Sequence, residues 1–417
     1  MYLTRRAFFK GTVGVLSAWA TAGLVSGFEW TRLAQAFELR DVAAAQGTDD
    51  DTPETLLRTA LEPLGGIERF VAPGQSVAIK PNITWANPPH TASSTDPDLL
   101  RAVIQAVQRR GASRIIVMDH CTLSDNLPAD TLRISGIGKV IEQTGVEKVV
   151  LAPYEPASRW ASVEMPRGQL FTRRGVIKEA TQVDVRINMA VAKSHIVTPV
   201  TLCLKHMMGF LQDPAGLHAT PGLEGIADIN AAPAIKCQLH ILEAIRVRLT
   251  GAAYGDGTDK TDPKRVKRFN QVIAGTDPVL IDAYAVETFF KHKAPPRDIP
   301  HIYLSYKAGV GDIDVAKALA SGKMGFFQPS AVLAAKPGPE PTVSSAGQPL
   351  VPTSQESEAW RQGQFLDFKA LLSDPAVPII GIVALAGLFA RWHLVRAQLK
   401  AETARTRASR EGKADDR

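Results

Sequence analysis

The sequence has few cysteines and no thiol pair of the kind that holds a metal or a cluster. Three cysteines occur in 417 residues, Cys121, Cys203 and Cys237, and no Cys-x-x-Cys is present. An iron–sulfur cluster normally needs four thiolates, so we expect no intrinsic cluster, and the cofactor stays unknown. One disulfide is compatible with three cysteines, but their spacing does not select a pair.

The central part of the chain lacks a net positive charge. The whole chain carries +6. Residues 1–36 contribute four Lys/Arg and one Glu, and residues 391–417 contribute eight Lys/Arg and four acids, which leaves −1 for the residues between them. A protein that binds nucleic acid needs a basic patch on the folded domain, so we expect no nucleic-acid partner.

The basic amino terminus has the pattern of an export signal. Arg5 and Arg6 precede an uncharged apolar run over 11–28, and a small-residue site, Ala34-Gln35-Ala36, follows. This order predicts a twin-arginine signal peptide over 1–36, in which Arg5 and Arg6 are recognised by the twin-arginine translocation machinery. The alternative is a basic cytoplasmic terminus on a membrane helix.

The carboxyl terminus carries a second apolar run. Residues 375–390 are uncharged, and 391–395 extend them toward the roughly 20 residues that a membrane span needs. We therefore predict a transmembrane helix over 375–395 and a basic tail over 396–417. The positive-inside rule keeps that tail in the cytoplasm, which places the protein at the inner membrane with its main domain periplasmic. A buried or interfacial helix is the alternative.

The segments between these ends predict one folded domain. We interpret 37–54 as a polar arm, 55–328 as a single α/β domain, and 329–374 as a Pro/Ser-rich linker that buries no core. Apolar runs that read as strands alternate with helical patterns, which predicts an open, mostly parallel sheet with helices on both faces. The predicted strands cover 75–80, 114–118, 148–151, 183–192 and 269–274, with an edge strand over 169–172 and a strong helix over 234–249.

Polar residues follow several of these strands at the point where each strand ends. They comprise Lys80 and Asn82, then Asp119, then Lys193 and His195, and finally Asp277. The carboxyl ends of parallel strands share one edge of a sheet, and ligands bind there in open α/β folds. We therefore expect a polar cleft at this edge. A helix over 199–208, capped by Thr198, adds Lys205 and His206.

The residue types in this cleft fit a small anionic ligand. Lys80, Lys193 and Lys205 supply positive charge, and an imidazole such as His195 or His206 titrates near neutral pH and can act as general acid or base. Carboxylates can orient a histidine or bind a hydroxyl. The predicted catalytic set is Lys193, His195, Lys205, His206 and Asp119, and the predicted ligand-binding set is Lys80, Asn82, Thr95, Asp228, Asp277 and Asp282. Cys203 and His206 lie three residues apart, which matches no strong zinc spacing, so we predict no metal site.

The same residues form a pattern that resembles a known family. The pattern consists of Lys80-Pro81-Asn82, Thr95-x-Pro97, Lys193, Thr201-x-x-x-Lys205-His206-x-x-Gly209, and Gly275-x-Asp277-Pro278-x-x-x-Asp282. It is similar to the bacterial and archaeal family catalogued as domain of unknown function number 362, over about residues 75–312. Many members of that family resemble carriers of ferredoxin-type cysteine motifs, which this chain lacks. The resemblance implies no particular reaction.

Two functions are compatible with these observations. The first is an exported, membrane-anchored enzyme of redox or isomerase type that acts on a small anionic ligand. The alternative is a non-catalytic accessory or maturation factor for a membrane redox complex in the periplasm, which would be its partner. Whether the protein is an enzyme stays open at this point.

Overall fold

A computed structural model describes residues 39–329, except 122–127, 153–154, 196–197, 215–216, 218–223 and 251–264. The predicted signal peptide with Arg5 and Arg6, the linker over 329–374 beyond its first residue, the anchor and the tail lie outside the described residues. Within the described part, no helix combines the length and apolar character that crossing a membrane requires.

The described residues are organised around one eight-stranded sheet. Its strands follow in the order β10-β1-β9-β8-β7-β2-β3-β4, and a separate two-stranded ribbon is formed by β5 and β6. The strands are β1 Val42–Gln46, β2 Ser76–Pro81, β3 Arg114–His120, β4 Glu147–Leu151, β5 Trp160–Glu164, β6 Arg173–Ile177, β7 Val185–Lys193, β8 Leu239–Arg248, β9 Val266–Gly275 and β10 Met324–Phe327.

Strand direction divides the sheet into two parts. The run β8-β7-β2-β3-β4 is parallel throughout. Strand β9 is antiparallel to both of its neighbours, β8 and β1, and β1 pairs in parallel with β10. The sheet is thus mostly parallel, as the sequence predicts, but β9 ends at the opposite edge from β2, β3 and β7.

Helices cover both faces of this sheet, which confirms the predicted α/β class. They are α1 Pro53–Leu61, α2 Pro97–Arg109, α3 Pro128–Ser135, α4 Ile137–Thr144, α5 Leu202–His206, α6 Glu224–Asn230, α7 Pro278–Phe289, α8 Pro300–Lys307 and α9 Val315–Ala320. Short 3₁₀ turns lie at Glu62–Leu64, Ile67–Arg69, Pro89–Thr91, Ala157–Arg159, Lys178–Thr181, Met207–Phe210, Pro233–Ile235 and Pro296–Asp298.

Alternate residues of the central strands enter two separate cores. In β2, Val77 and Ile79 join the core formed with α1, α2 and α4, whereas Ala78 joins the core formed with α5, α7 and α8. This alternation follows from the two-residue period of a strand. Because both faces are covered, the central strands are apolar on both sides.

The prediction of a helix over 234–249 is wrong. The segment forms β8 in the middle of the sheet, between β7 and β9, and nearly all of its residues are buried. Ile235, Leu239, Leu242 and Ile245 have helical spacing, but a strand buried on both faces needs no alternation of apolar and polar residues. The spacing therefore did not distinguish a buried helix from a buried strand.

Three smaller predictions also differ from the structure. The arm predicted over 37–54 contains β1, whose alanine-rich residues are buried between β9 and β10. The edge strand predicted over 169–172 lies later, at Arg173–Ile177. The helix predicted over 199–208 is shorter, since α5 begins after Thr201, and Thr198 does not cap it.

Candidate functional site

The parallel strands bring their charged carboxyl ends to one edge of the sheet. Lys80 lies near the end of β2, Asp119 near the end of β3, and Lys193 at the end of β7. Arg248 ends β8 at the same edge. All four side chains are buried, so their charges interact with little screening by water.

The best-defined contact of the site is an ion pair between Lys80 and Asp119. The Lys80 Nζ lies 2.8 Å from Asp119 Oδ1, and both side chains are at most 1% exposed. The other oxygen of Asp119 accepts a 2.7 Å hydrogen bond from the backbone N–H of Ile83. The carboxylate thus fixes both the lysine of β2 and the start of the loop that follows β2.

His206 is held through both of its ring nitrogens. Its Nε2 lies 2.9 Å from Lys80 Nζ, and its Nδ1 lies 2.6 Å from Asn188 Oδ1. Burial, followed by the charge of Lys80, lowers the pKa of His206 well below its usual value. The ring is therefore a neutral, fixed hydrogen-bonding group, which favours a positioning role over the general acid–base role predicted for it.

Lys193 and Lys205 are buried amines with lowered pKa values. Burial and then the charge of Lys205 lower the pKa of Lys193 to about 7. Burial and then the charge of Lys80 lower the pKa of Lys205 to about 7. Lys193 Nζ donates to Asn82 Oδ1 at 3.1 Å and to the carbonyl of Ser93. Within the described residues, Lys205 has no hydrogen-bond or ion-pair partner.

Gly209 provides room for the Lys80–Asp119 pair. A Cβ at this position would lie 2.4 Å from Asp119 Oδ1 and 2.5 Å from Lys80 Nζ, closer than real contacts allow. The neighbouring Phe210 places its ring centroid 5.8 Å from Lys80 Nζ, within the range of a cation–π contact. The Lys205-His206-x-x-Gly209 motif therefore packs against the end of β2.

The loop after β2 is fastened to the site by its own polar groups. Thr95 Oγ1 accepts a hydrogen bond from the backbone N–H of Asn82 and donates to the carbonyl of Met189. The backbone N–H of Asp96 donates to Glu243 of β8 at 3.0 Å. Thr95 and Asn82 therefore shape the loop, and Asn82 also contacts the Lys193 amine.

The carboxylates of Asp282 and Asp228 accept hydrogen bonds from backbone N–H groups. Asp282 accepts hydrogen bonds from the backbone N–H groups of Cys203 and Leu204 at 2.8 and 2.9 Å, so it caps the helix that carries Lys205 and His206. Burial raises the pKa of Asp282 well above its usual value. Asp228 accepts three backbone hydrogen bonds from the segment at 169–171.

Asp277 is placed apart from the Lys80–Asp119 pair. Asp277 follows β9, whose direction puts it at the opposite edge of the sheet, where it caps α7 and accepts from the backbone N–H of Asp312. Burial raises its pKa to about 6. His195 is half-buried, and its Nδ1 accepts from the backbone N–H of Thr198 at 3.2 Å.

Several residues of the site carried no recognisable signal in the sequence. Asn188 lies inside β7, and Arg248 and Glu243 lie in the segment that was predicted to be a helix. Burial raises the pKa of Glu243 to about 8. His301 of α8 is fully buried, neither ring nitrogen has a partner in the described part, and burial followed by the charge of Lys205 lowers its pKa to about 3.

The cysteines do not build a metal centre with these residues. Among the described residues, no group of three or more His, Cys, Asp or Glu side chains is placed to hold a metal ion. Cys121, Cys203 and Cys237 are buried free thiols. Burial raises the pKa of Cys121 and of Cys237 to about 12, which disfavours the thiolate form that metals bind.

Fold and site together define a class of protein: an α/β domain with buried lysines at the carboxyl edge of its parallel strands. The family model described as domain of unknown function (DUF362) matches residues 77–287, half of the chain. The chain therefore belongs to this family. The match spans β2 through most of α7 and so includes Lys80, Asp119, Lys193, Lys205 and His206.

Individual relatives add context. The chain is 30% identical over 224 residues to a thylakoid-associated protein of Synechocystis sp., and the match covers 50% of this chain and 62% of that protein. Among solved structures, the lactate racemase apoprotein of Thermoanaerobacterium thermosaccharolyticum aligns with a TM-score of 0.37 and 9% identity, over 58% of this chain and 56% of the other. A Thermotoga maritima protein aligns with a TM-score of 0.31 and 12% identity, over 62% and 60%.

Proposed function

We propose that the domain binds a small anionic ligand, bearing a phosphate or carboxylate group, at Lys80, Lys193 and Lys205. The observation that carries the proposal is a charge imbalance. Three buried lysines influence one another's ionisation, and Asp119 is the carboxylate paired directly with one of them. An anion bound beside Lys205 would supply the missing negative charge and restore the protonated form of the amines.

The lysines also offer chemistry beyond binding. A buried amine whose pKa is near neutral pH can take up or release a proton during a reaction, because both of its forms are populated. Lys193 and Lys205 meet this condition, each with a pKa of about 7. These two amines therefore support an isomerase-type reaction on the bound anion, with one amine as general base.

Sulfate and malonate are suitable probes, since one is tetrahedral and the other is a dicarboxylate. Isothermal titration of the full chain with each anion should show saturable binding, and Lys205→Met and Lys193→Met should each weaken it at least tenfold. Lys139→Met, at an exposed position of α4, is the matched control and should bind normally. If neither sulfate nor malonate binds to the intact chain, the proposal is refuted.

We further propose that the protein is exported by the twin-arginine machinery and held at the inner membrane by 375–395. The sequence patterns at the two ends support this, and the thylakoid association in the name of the Synechocystis relative is consistent with a membrane location. Fractionation of cells, with protease added to spheroplasts, tests it. A chain found entirely in the soluble fraction, or with its main domain protected, would argue against this arrangement.

The accessory function remains the second candidate. The predicted linker over 329–374 and the anchor favour it, because they would hold the domain close to a membrane redox complex. Affinity purification of the full chain should then recover a stable membrane partner that is lost when residues 329–417 are deleted. A deletion that leaves the set of co-purifying proteins unchanged would remove the reason for this proposal.

A further inference from the structure

A chain of buried hydrogen bonds crosses the sheet behind the lysines. It runs from His240 at the start of β8, through Asn188 of β7, to His206 and then to the Lys80–Asp119 pair. Asn188 Nδ2 lies 3.1 Å from the carbonyl oxygen of Cys203 and 3.1 Å from His240 Nδ1. Asn188 Oδ1 lies 2.6 Å from His206 Nδ1. Asn188, His206 and His240 are all buried.

The carbonyl of Cys203 fixes the orientation of the Asn188 amide. A carbonyl oxygen only accepts hydrogen bonds, so the amide group must turn its nitrogen toward Cys203. The amide oxygen then faces His206 Nδ1, and because that oxygen is also an acceptor, Nδ1 must carry the proton. The second amide hydrogen points at His240 Nδ1, which must therefore be the unprotonated nitrogen of that ring.

The orientation of Asn188 in turn decides what His206 presents to Lys80. When Nδ1 carries the only ring proton, Nε2 has a free lone pair and accepts from the Lys80 ammonium at 2.9 Å. The other neutral tautomer would set two acceptors 2.6 Å apart at Asn188 and an N–H against the ammonium at Lys80. The imidazolium form would also direct an N–H at Lys80. Among the three forms, only the Nδ1–H tautomer satisfies both contacts.

We infer that Asn188 is a positioning residue. Its amide, oriented by the hydrogen bond to the Cys203 carbonyl, holds His206 in the Nδ1–H tautomer. The Lys80 ammonium, which already donates to Asp119, then has His206 Nε2 as a second acceptor and remains a cation facing the anion site. The effect of Asn188 on anion binding rests on the proposed function, whereas its effect on the tautomer does not. This chain of hydrogen bonds fixes the orientation of its members and does not conduct protons, because the Asn188 carboxamide does not take up a proton on one side and release another on the other side.

The tautomer of His206 can be observed directly. Nitrogen–proton correlation spectra of the full chain, labelled with ¹⁵N in histidine, distinguish the two neutral forms and the imidazolium. The signal of His206 is assigned by its loss in His206→Gln. We expect the Nδ1–H form in the unaltered protein near neutral pH. The Nε2–H form there, or an imidazolium, would overturn the inference without any reference to ligand binding.

Two variants test the role of the amide. Asn188→Leu has a similar volume but no acceptor, so it removes one of the two contacts that favour the Nδ1–H form. Part of the His206 population should then shift to the Nε2–H form, and sulfate binding should weaken about tenfold, the loss expected for one hydrogen bond to a charged group. His240→Phe removes the far end of the chain but keeps the Cys203 carbonyl, so it should leave the His206 tautomer unchanged. Retention of the Nδ1–H form and of sulfate affinity within twofold in Asn188→Leu would refute the assignment.

The outcomes separate this inference from the proposed function. If the unaltered protein shows the Nδ1–H form but binds no sulfate, the anion site is wrong and the positioning of Lys80 by Asn188 and His206 stands. If sulfate binds and His206 is in the Nε2–H form, the anion site stands and Asn188 has no positioning role. Because the spectrum of the unaltered protein is decisive on its own, a variant that fails to fold does not prevent the test.

Discussion

Anion binding at this site should be coupled to proton uptake. The pKa of Lys193 and that of Lys205 are each about 7, against an ordinary value of 10.5, because burial disfavours the charged amine. A bound dianion offsets that penalty and raises both pKa values. At about pH 8 each free amine is then only roughly 10% protonated, so binding should take up close to two protons, about 0.9 at each lysine.

The same pKa values determine how affinity depends on pH. Below about pH 6 both amines are already protonated and uptake falls to roughly 0.2 proton, so affinity should be nearly constant there. Above about pH 8 affinity should fall up to about tenfold per pH unit for each lysine, or about a hundredfold when both must be charged. Sulfate is the preferred probe, since it keeps its two charges throughout this range.

Titration calorimetry in two buffers of different ionisation enthalpy measures the number of protons directly. Lys205→Met removes one of the two amines and should reduce the uptake at about pH 8 to one proton or less, because Lys193 also loses a repelling neighbour. Lys139→Met should behave like the unaltered protein. Sulfate binding with no proton uptake at about pH 8 would refute the argument, since it would mean that these lysines are already charged in the free protein.

Three further predictions concern groups around the lysines. Gly209→Ala should destabilise the protein by about 1–3 kcal/mol and weaken sulfate binding, because the new Cβ would collide with Lys80 and Asp119. Denaturant unfolding measures the loss of stability, and an unchanged free energy of unfolding would contradict this prediction. Asp282→Ala leaves two buried N–H groups unpaired at the start of α5 and should cost about 2–5 kcal/mol, with lower sulfate affinity; equal stability in urea would count against its capping role. Glu243 has its pKa raised from 4.5 to about 8 by burial, so the folded state holds a proton that the unfolded state releases, and its contribution to stability declines as pH rises from about 4.5 to 8. Glu243→Gln should therefore be more stable than the unaltered protein by up to about 4–5 kcal/mol at about pH 8.5 but by only about 1 kcal/mol at about pH 5. A gain in stability that is independent of pH would exclude this explanation.

The outcome for β8 shows why a local pattern misled. Its apolar residues recur with helical spacing, and only its position between β7 and β9 explains why both of its faces contribute apolar residues to a core. For β1 the cause is different: alanine is a weak strand former, and the strand exists because two neighbours, β9 and β10, pair with it. Neither pairing is encoded in the segment itself.

The sequence by itself determined the family, the α/β class, and the strands β2, β3 and β7 that deliver Lys80, Asp119 and Lys193 to one edge. It could do so because the apolar runs of these strands and the motif around Lys205 are local features. The tertiary structure decided the direction of the strands and the hydrogen bonds that join Asn188, His206 and Lys80. The antiparallel course of β9 carried Asp277 to the opposite edge, and the approach of β7 and α5 brought Asn188 to the Cys203 carbonyl and to His206, three groups whose contact depends on how distant segments pack.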